Sequence, residues 1–327
     1  MEAFAYANPS TIQDAVRLLG KSWGEADVLA GGTDLLSLMK DYLHTPRRVV
    51  NIKGIKELGG IQKTAEGLRI GALVTLDELL ASTEVAQYPG LVSAARGVTS
   101  PQIRNMGTVG GDLCQRPRCW YFRLGYGLLA KDKDGRSLAR DGDNRYHAIF
   151  GNQGQACFVS ASSFGPPLVA LNARVRLVSP SGGRELPVEK FFLTPENDGQ
   201  RETALAPNEI LTEILVPSAA GVRSATYEVR QRQTLDWPLA TASVALTTKG
   251  NAVGRARVVL GHVAPVPWRA VAAEKALAGR ALTTTAIERA AEAAVEGATP
   301  LSRNGYKVQL ARVAVKRALA ELAGRKG

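Results

Sequence analysis

Two glycine-rich stretches hold the residues best suited to chemistry. Val28 to Leu43 reads VLAGGTDLLSLMKDYL, and NMGTVGGDL begins at Asn105. In the first, Gly31 and Gly32 follow an apolar run and precede a short amphipathic segment. Glycine reaches positive φ and lets another group approach the backbone. Exposed N–H groups at such a turn, backed by a helix N-terminus, suit a diphosphate. The pattern is neither G-x-G-x-x-G nor a loop ending in Gly-Lys-Ser/Thr, so neither a Rossmann fold nor a P-loop is indicated. Taken alone, the first loop is weak evidence, since a strand, two glycines and a helix more often make just a tight turn. The second carries Asn105, Gly107, Thr108, Gly110, Gly111 and Asp112, without the lysine a triphosphate site wants. Two such loops, about eighty residues apart, suit the clamping of one long ligand with a single pyrophosphate between two subdomains.

Other reactive side chains are sparse. His44, His147 and His262 lack metal-ligand spacing and are expected at the surface or packed. Cys114, Cys119 and Cys157 form a low, odd set, which argues against a disulfide framework and fits a reducing compartment. The net charge is +11, but Lys and Arg are spread along the chain. A solvated basic surface, or one facing an acidic protein, is expected rather than a nucleic-acid site. No apolar run approaches the roughly 18 residues of a membrane span, and no signal peptide is visible at the N-terminus. A cytoplasmic location is therefore expected, with export beside a signal-bearing partner as the alternative.

The elements that must position the loops are legible in outline. The chain has 327 residues, more than one typical domain. Ser10 and Gln13 have capping-box spacing and predict a helix over about 11–21. Strands are predicted at 27–30, 48–52 and 68–74. Thr75 and Glu78 repeat the capping-box signal, and YPGLVSAARGV reads as a helix. ACFVS, ARVRLVS and EILTEILVP read as strands, and 216–224 as a linker. Three further strands then precede three helical stretches, which predicts a separate α+β domain with helices on one sheet face. Trp237 is expected in a core or a subunit interface, and VAPVPWRA as a loop.

In order, AGGTDLL, IRNMGTVGGDL, RCWYFR, DGDNRYHAIFG, VRQRQTLDWPLA, LGHVAPVPWRA and TPLSRNGYKVQLARVAVKRAL cover nearly the whole chain. This combination resembles the flavoprotein (medium) subunit of the xanthine dehydrogenase and carbon monoxide dehydrogenase family. The resemblance implies an α+β architecture: a two-subdomain FAD-binding fold of the vanillyl-alcohol-oxidase type over 1–217 (subdomains about 1–55 and 56–217), then a small C-terminal flavoprotein domain over 218–327. It implies that both loops serve one FAD, Ala30, Gly31, Gly32, Thr33 and Asp34 forming the first and Thr108, Gly110, Gly111 and Asp112 the second. Relatives have Asn where Asp112 stands, so a negative charge is expected near the phosphates. They also carry Asp near the position of Ser163, a further flavin contact. Lys307 is a candidate cation beside the flavin ring, with a solvated helix lysine as the alternative.

One branch of this family holds a four-iron cluster on four cysteines of this subunit. Cys119 and Cys157 match the outer two, while Leu128 and Ser137 stand near the middle two. Two thiolates do not complete a cubane, so no cluster and no metal site are expected in this chain. The implied function is electron transfer through FAD. Iron–sulfur centres lie on a small partner subunit, and the molybdenum cofactor on a large one that performs the substrate chemistry. The alternatives are a stand-alone FAD oxidase or reductase and a degenerate or non-enzymatic binding subunit.

Overall fold

The computed structural model describes residues 1–98, 100–232 and 236–325. Strands β1 (Ala5–Ala7), β2 (Ala26–Leu29) and β3 (Arg48–Asn51) form a small parallel sheet in the order β1-β3-β2. The helix preceding β2 covers Ile12–Arg17, shorter than expected. Its cap is Thr11 rather than Ser10, because the Thr11 hydroxyl accepts the Asp14 N–H. Ala15, Val16, Val50 and Ile52 close the core of this layer.

A second sheet takes β4 (Ile61–Lys63), β5 (Gly67–Gly71), β6 (Arg174–Ser179), β7 (Gly182–Pro187) and β8 (Ile210–Pro217), antiparallel in the order β4-β5-β8-β6-β7. After β5 the Thr75–Glu78 capping box forms as expected and starts the helix Leu76–Ala81. The helices Pro89–Gly97 and Gly165–Ala170 complete this core around Leu91, Phe164 and Leu168. ACFVS is not a strand. Ala156–Ser160 runs as buried coil, with the Cys157 carbonyl taken by Ala148 N–H and Ser160 N–H given to Ala264.

Beyond β8 the connection spans only 218–222. Strands β9 (Arg223–Val229), β10 (Ala240–Lys249), β11 (Ala252–Gly261) and β12 (Trp268–Arg269) form an antiparallel sheet in the order β12-β11-β10-β9. The helices Val271–Leu277, Thr284–Ala293 and Tyr306–Leu322 pack on one face through Val244, Val258, Leu260, Val315 and Leu319. The opposite face is not solvated. Ala245 and Val259 join the core of the second sheet, and Gly90 N–H donates to Ser224 Oγ. Two-sided burial explains why β10 reads as near-continuous small apolar residues rather than as an alternating strand. It also makes this junction core-like, so the cleft beside it is held rigidly.

Candidate functional site

The two glycine loops meet. A Cβ placed on Gly31 would lie 1.7 Å from the Met106 carbonyl oxygen and 3.3 Å from the Gly107 Cα. Only glycine allows that approach, and it is what brings residues separated in sequence to one cleft. Gly32 has φ +76°, the left-handed region that favours glycine. Among the described residues, the N–H groups of Gly31, Gly32 and Thr33 have no acceptor within the protein. Free backbone donors on a narrow turn fit an anionic ligand.

In the second loop Thr108 caps the helix Val109–Cys114, its hydroxyl accepting Gly111 N–H at 3.0 Å. Gly110 faces the protein instead. Its N–H donates to the Ala72 carbonyl, and a Cβ there would come within 2.7 Å of the Ala72 Cβ. It is a packing glycine that seats the loop on the end of β5.

Three adjoining cavities run past these loops. The first is lined by Ala30, Gly31, Gly32, Thr33 and Asp34 with Thr108 and Gly111. The second shares Thr33, Asp34, Thr108 and Gly111 with it and adds Asp112 and Ser163. The third shares Arg118, Asp236, Trp237 and Pro238 with the second and ends at His147, His262 and Lys307. Ten of the eleven residues expected from the sequence thus line one continuous cleft, and Gly110 does not. A cleft that runs past both loops fits a dinucleotide whose pyrophosphate lies there.

Asp34 and Asp112 spend their carboxylates on the protein. Asp34 accepts from Arg116 N–H at 2.8 Å and Arg123 Nη2 at 2.9 Å, and pairs with Arg118 Nη1 at 3.0 Å. Asp112 accepts from Ser162 Oγ at 2.5 Å, Phe164 N–H at 3.0 Å and Ser163 N–H at 3.2 Å. Burial raises its pKa, and those hydrogen bonds oppose the rise. The carboxylate that the family pattern puts near position 163 therefore sits on the other side of the same contact, where it ties the second loop to the turn before Gly165.

Lys307 is not a solvated helix lysine. It is 1% exposed, and its ammonium donates to the carbonyls of His262 at 2.7 Å and of Tyr146 and His147 at 3.2 Å each. Burial pushes it down to about 7. His147 and His262, each 3% exposed, are pushed down to about 4 and about 3, by burial first and by the Lys307 charge second. Both are neutral in the folded protein near neutral pH.

That neutrality has a measurable consequence. Once unfolded, both histidines take up a proton near pH 6.5. From there down to about pH 4 these two histidines bind more protons in the unfolded chain than in the folded one. Stability therefore falls as pH falls through that window, by about 1.4 kcal/mol per pH unit for each histidine. Urea unfolding at about pH 7 and about pH 5 should show the loss, and His262→Asn should lose less on acidification than the wild type. Equal stability of the wild type at both pH values would contradict the assignment.

Sequence reasoning missed the basic run that follows the second loop. Arg116 pairs with Glu202 and lies 2.9 Å from His44 Nε2, while Asp27 holds His44 Nδ1 at 3.1 Å. Arg118 lies 4.7 Å from the ring centroid of Trp237, which is 42% exposed rather than in a core. Three arginines between 116 and 123 were visible in QRPRCWYFR, but their partner Asp34 lies more than eighty residues earlier.

Cys119 and Cys157 converge with the two positions expected near the missing cysteines. Cys119 packs against the apolar cluster that contains Leu128, and Ser137 partly offsets the effect of burial on the Cys157 thiol. Cys119 Sγ lies 3.2 Å from His147 Nε2. Burial raises both thiols above their ordinary range. Among the described residues no group of three or more His, Cys, Asp or Glu side chains is placed to hold a metal ion. A four-iron cluster does not fit the side chains present. No helix among the described residues is long and apolar enough to cross a membrane.

Residues 2–219 match the family described as the FAD binding domain in molybdopterin dehydrogenase, and residues 225–322 match the CO dehydrogenase flavoprotein C-terminal domain. The carbon monoxide dehydrogenase medium chain of Hydrogenophaga pseudoflava is 33% identical over 321 residues, covering 97% of this chain and 96% of the relative. The aldehyde oxidoreductase FAD-binding subunit PaoB of Escherichia coli K12 is 32% identical over 326 residues, covering 98% of each. The solved carbon monoxide dehydrogenase of Hydrogenophaga pseudoflava superposes with a TM-score of 0.76 at 31% identity, over 100% of this chain and 99% of that one. The loops, the cleft and these full-length similarities agree, and the chain belongs to the FAD-binding medium-subunit family of the carbon monoxide dehydrogenases and xanthine dehydrogenases.

Proposed function

We propose that the chain is the FAD-carrying electron-transfer subunit of a multi-subunit molybdenum hydroxylase. In this reading it works in the cytoplasm with an iron–sulfur small subunit and a molybdenum large subunit. It divides into a FAD-binding part over 1–217 and a C-terminal part over 218–327. The observation that carries the reading is the continuous cleft between the two glycine loops. FAD, when bound, supplies the capacity to take electrons from partner iron–sulfur centres and pass them to an external acceptor. The chain's own residues bind and orient. Gly31, Gly32 and Thr33 offer backbone N–H groups, Thr108 and Gly111 close the opposite wall, and the buried Lys307 clasp fixes the far end.

In this reading the electron path has no four-iron stop in this chain, since Leu128 and Ser137 stand near the places of two ligands and neither supplies a thiolate. Purification of the complex from its native source tests both statements. The chain should co-purify with two further subunits, and iron and sulfide analysis of the separated chain should find neither. A native monomer that oxidises a substrate unaided would overturn the partnership, and about four irons per chain would overturn the second statement.

A further inference from the structure

The sequence points to Lys307 as the cation beside the flavin ring, but its geometry offers little to a ligand. An ammonium has three donors, and three carbonyls already take them. Arg118 differs. It lines both the second and the third cavity, at their junction. Among the described residues, Nη1 pairs with Asp34 and Nη2 donates to Gln115 Oε1 at 2.9 Å. Each Nη carries two N–H donors, so one on each is uncommitted among these residues. A charged donor at a cavity wall with hydrogen-bonding capacity to spare suits a ligand acceptor. Stacking on Trp237 and the bridge to Asp34 fix the plane of the group, so little further ordering is needed on binding.

The order of the cleft decides which part of the ligand Arg118 meets. The glycine loops bound the first and second cavities, which places a pyrophosphate there. The third cavity is the aromatic one, lined by Trp120, Tyr146, Phe158 and Trp237, so the flavin end rather than the adenosine is placed there. We propose that Arg118 is the cation beside the flavin ring, stabilising negative charge on the ring's N1–O2 edge. This rests on the FAD reading above and adds the residue that sets the ring's electrostatics. Asp34 then has two tasks: it belongs to the first loop and it aims Arg118.

Sulfite affinity of the FAD-loaded protein tests the assignment without turnover. Sulfite donates its lone pair to flavin N5, and the charge gained by the ring spreads toward N1 and O2, so a nearby cation tightens binding. Arg118→Gln is expected to weaken sulfite binding at least about tenfold at saturating FAD, while Arg17→Gln, on the exposed first helix, leaves it unchanged. Sulfite affinity unchanged in Arg118→Gln would overturn the proposal. So would a rise of more than about tenfold in the FAD dissociation constant of Arg118→Gln, which would place the guanidinium on the pyrophosphate. Should Arg118→Gln fail to fold, Arg118→Met takes its place. It also removes the charge, and an affinity equal to wild type would overturn the assignment. A wild-type protein that holds no FAD sinks the cofactor reading itself, a failure distinct from any of these.

Discussion

Gly31→Ala is expected to weaken FAD binding at least about tenfold, with the secondary structure intact. The added methyl would meet the Met106 carbonyl oxygen at 1.7 Å, and that atom is backbone. A flexible side chain could swing away, whereas here one loop must shift as a body. Separating the loops by even about 1 Å misplaces donors that have to reach the same pyrophosphate. Gly54→Ala is the control, because a Cβ there meets nothing within 4 Å. Gly111→Leu reaches the same end by another route. Gly111 borders the first two cavities, and only Thr108 Oγ1 at 2.9 Å limits a Cβ, so the larger side chain fills the cleft. Titration of apoprotein with FAD, alongside circular dichroism, reads both effects. Wild-type affinity in both variants would remove the loops from the site.

Asp34→Ala should cost about 3 kcal/mol of stability, among the largest losses from any single polar substitution in the chain. Its carboxylate neutralises Arg118 and Arg123 and accepts the Arg116 N–H. The side chains of Asp34, Arg123 and Arg118 are 14%, 17% and 29% exposed, so water screens the stranded charges only in part. Full burial would place the loss nearer about 5 kcal/mol. Asp34→Asn keeps an acceptor and should lose less. Urea unfolding measures each, and a loss below about 0.5 kcal/mol for Asp34→Ala would mean that the three arginines do not depend on it.

Local signals in the sequence were sound where the physics is local. The Thr75–Glu78 cap needs residues three apart and forms as read, while the first helix shifted by one because Thr11 offers the same hydroxyl as Ser10. Buried coil and buried strand share one apolar pattern. Ala156–Ser160 read as a strand, yet its partners are single carbonyls and N–H groups rather than a ladder. The loops were legible because glycine requirements are written in the residues themselves. The clasp around Lys307 was not, since its carbonyls come from Tyr146, His147 and His262, remote in the chain and identical in any residue type. The arginine run could be seen but not interpreted until Asp34 was found beneath it. Asp112 and Ser163 looked like two separate departures from the family pattern, and their contact in space makes them one.

The most direct test of the account is the identity and amount of flavin in the native protein. After gentle purification and denaturation, released cofactor is separated by chromatography and quantified against protein. The account expects FAD at about one per chain, and a lower occupancy in Gly31→Ala and Gly111→Leu. No flavin in a carefully prepared native complex, or FMN alone, would contradict it, because a cleft built on two loops around one pyrophosphate has no use for a mononucleotide.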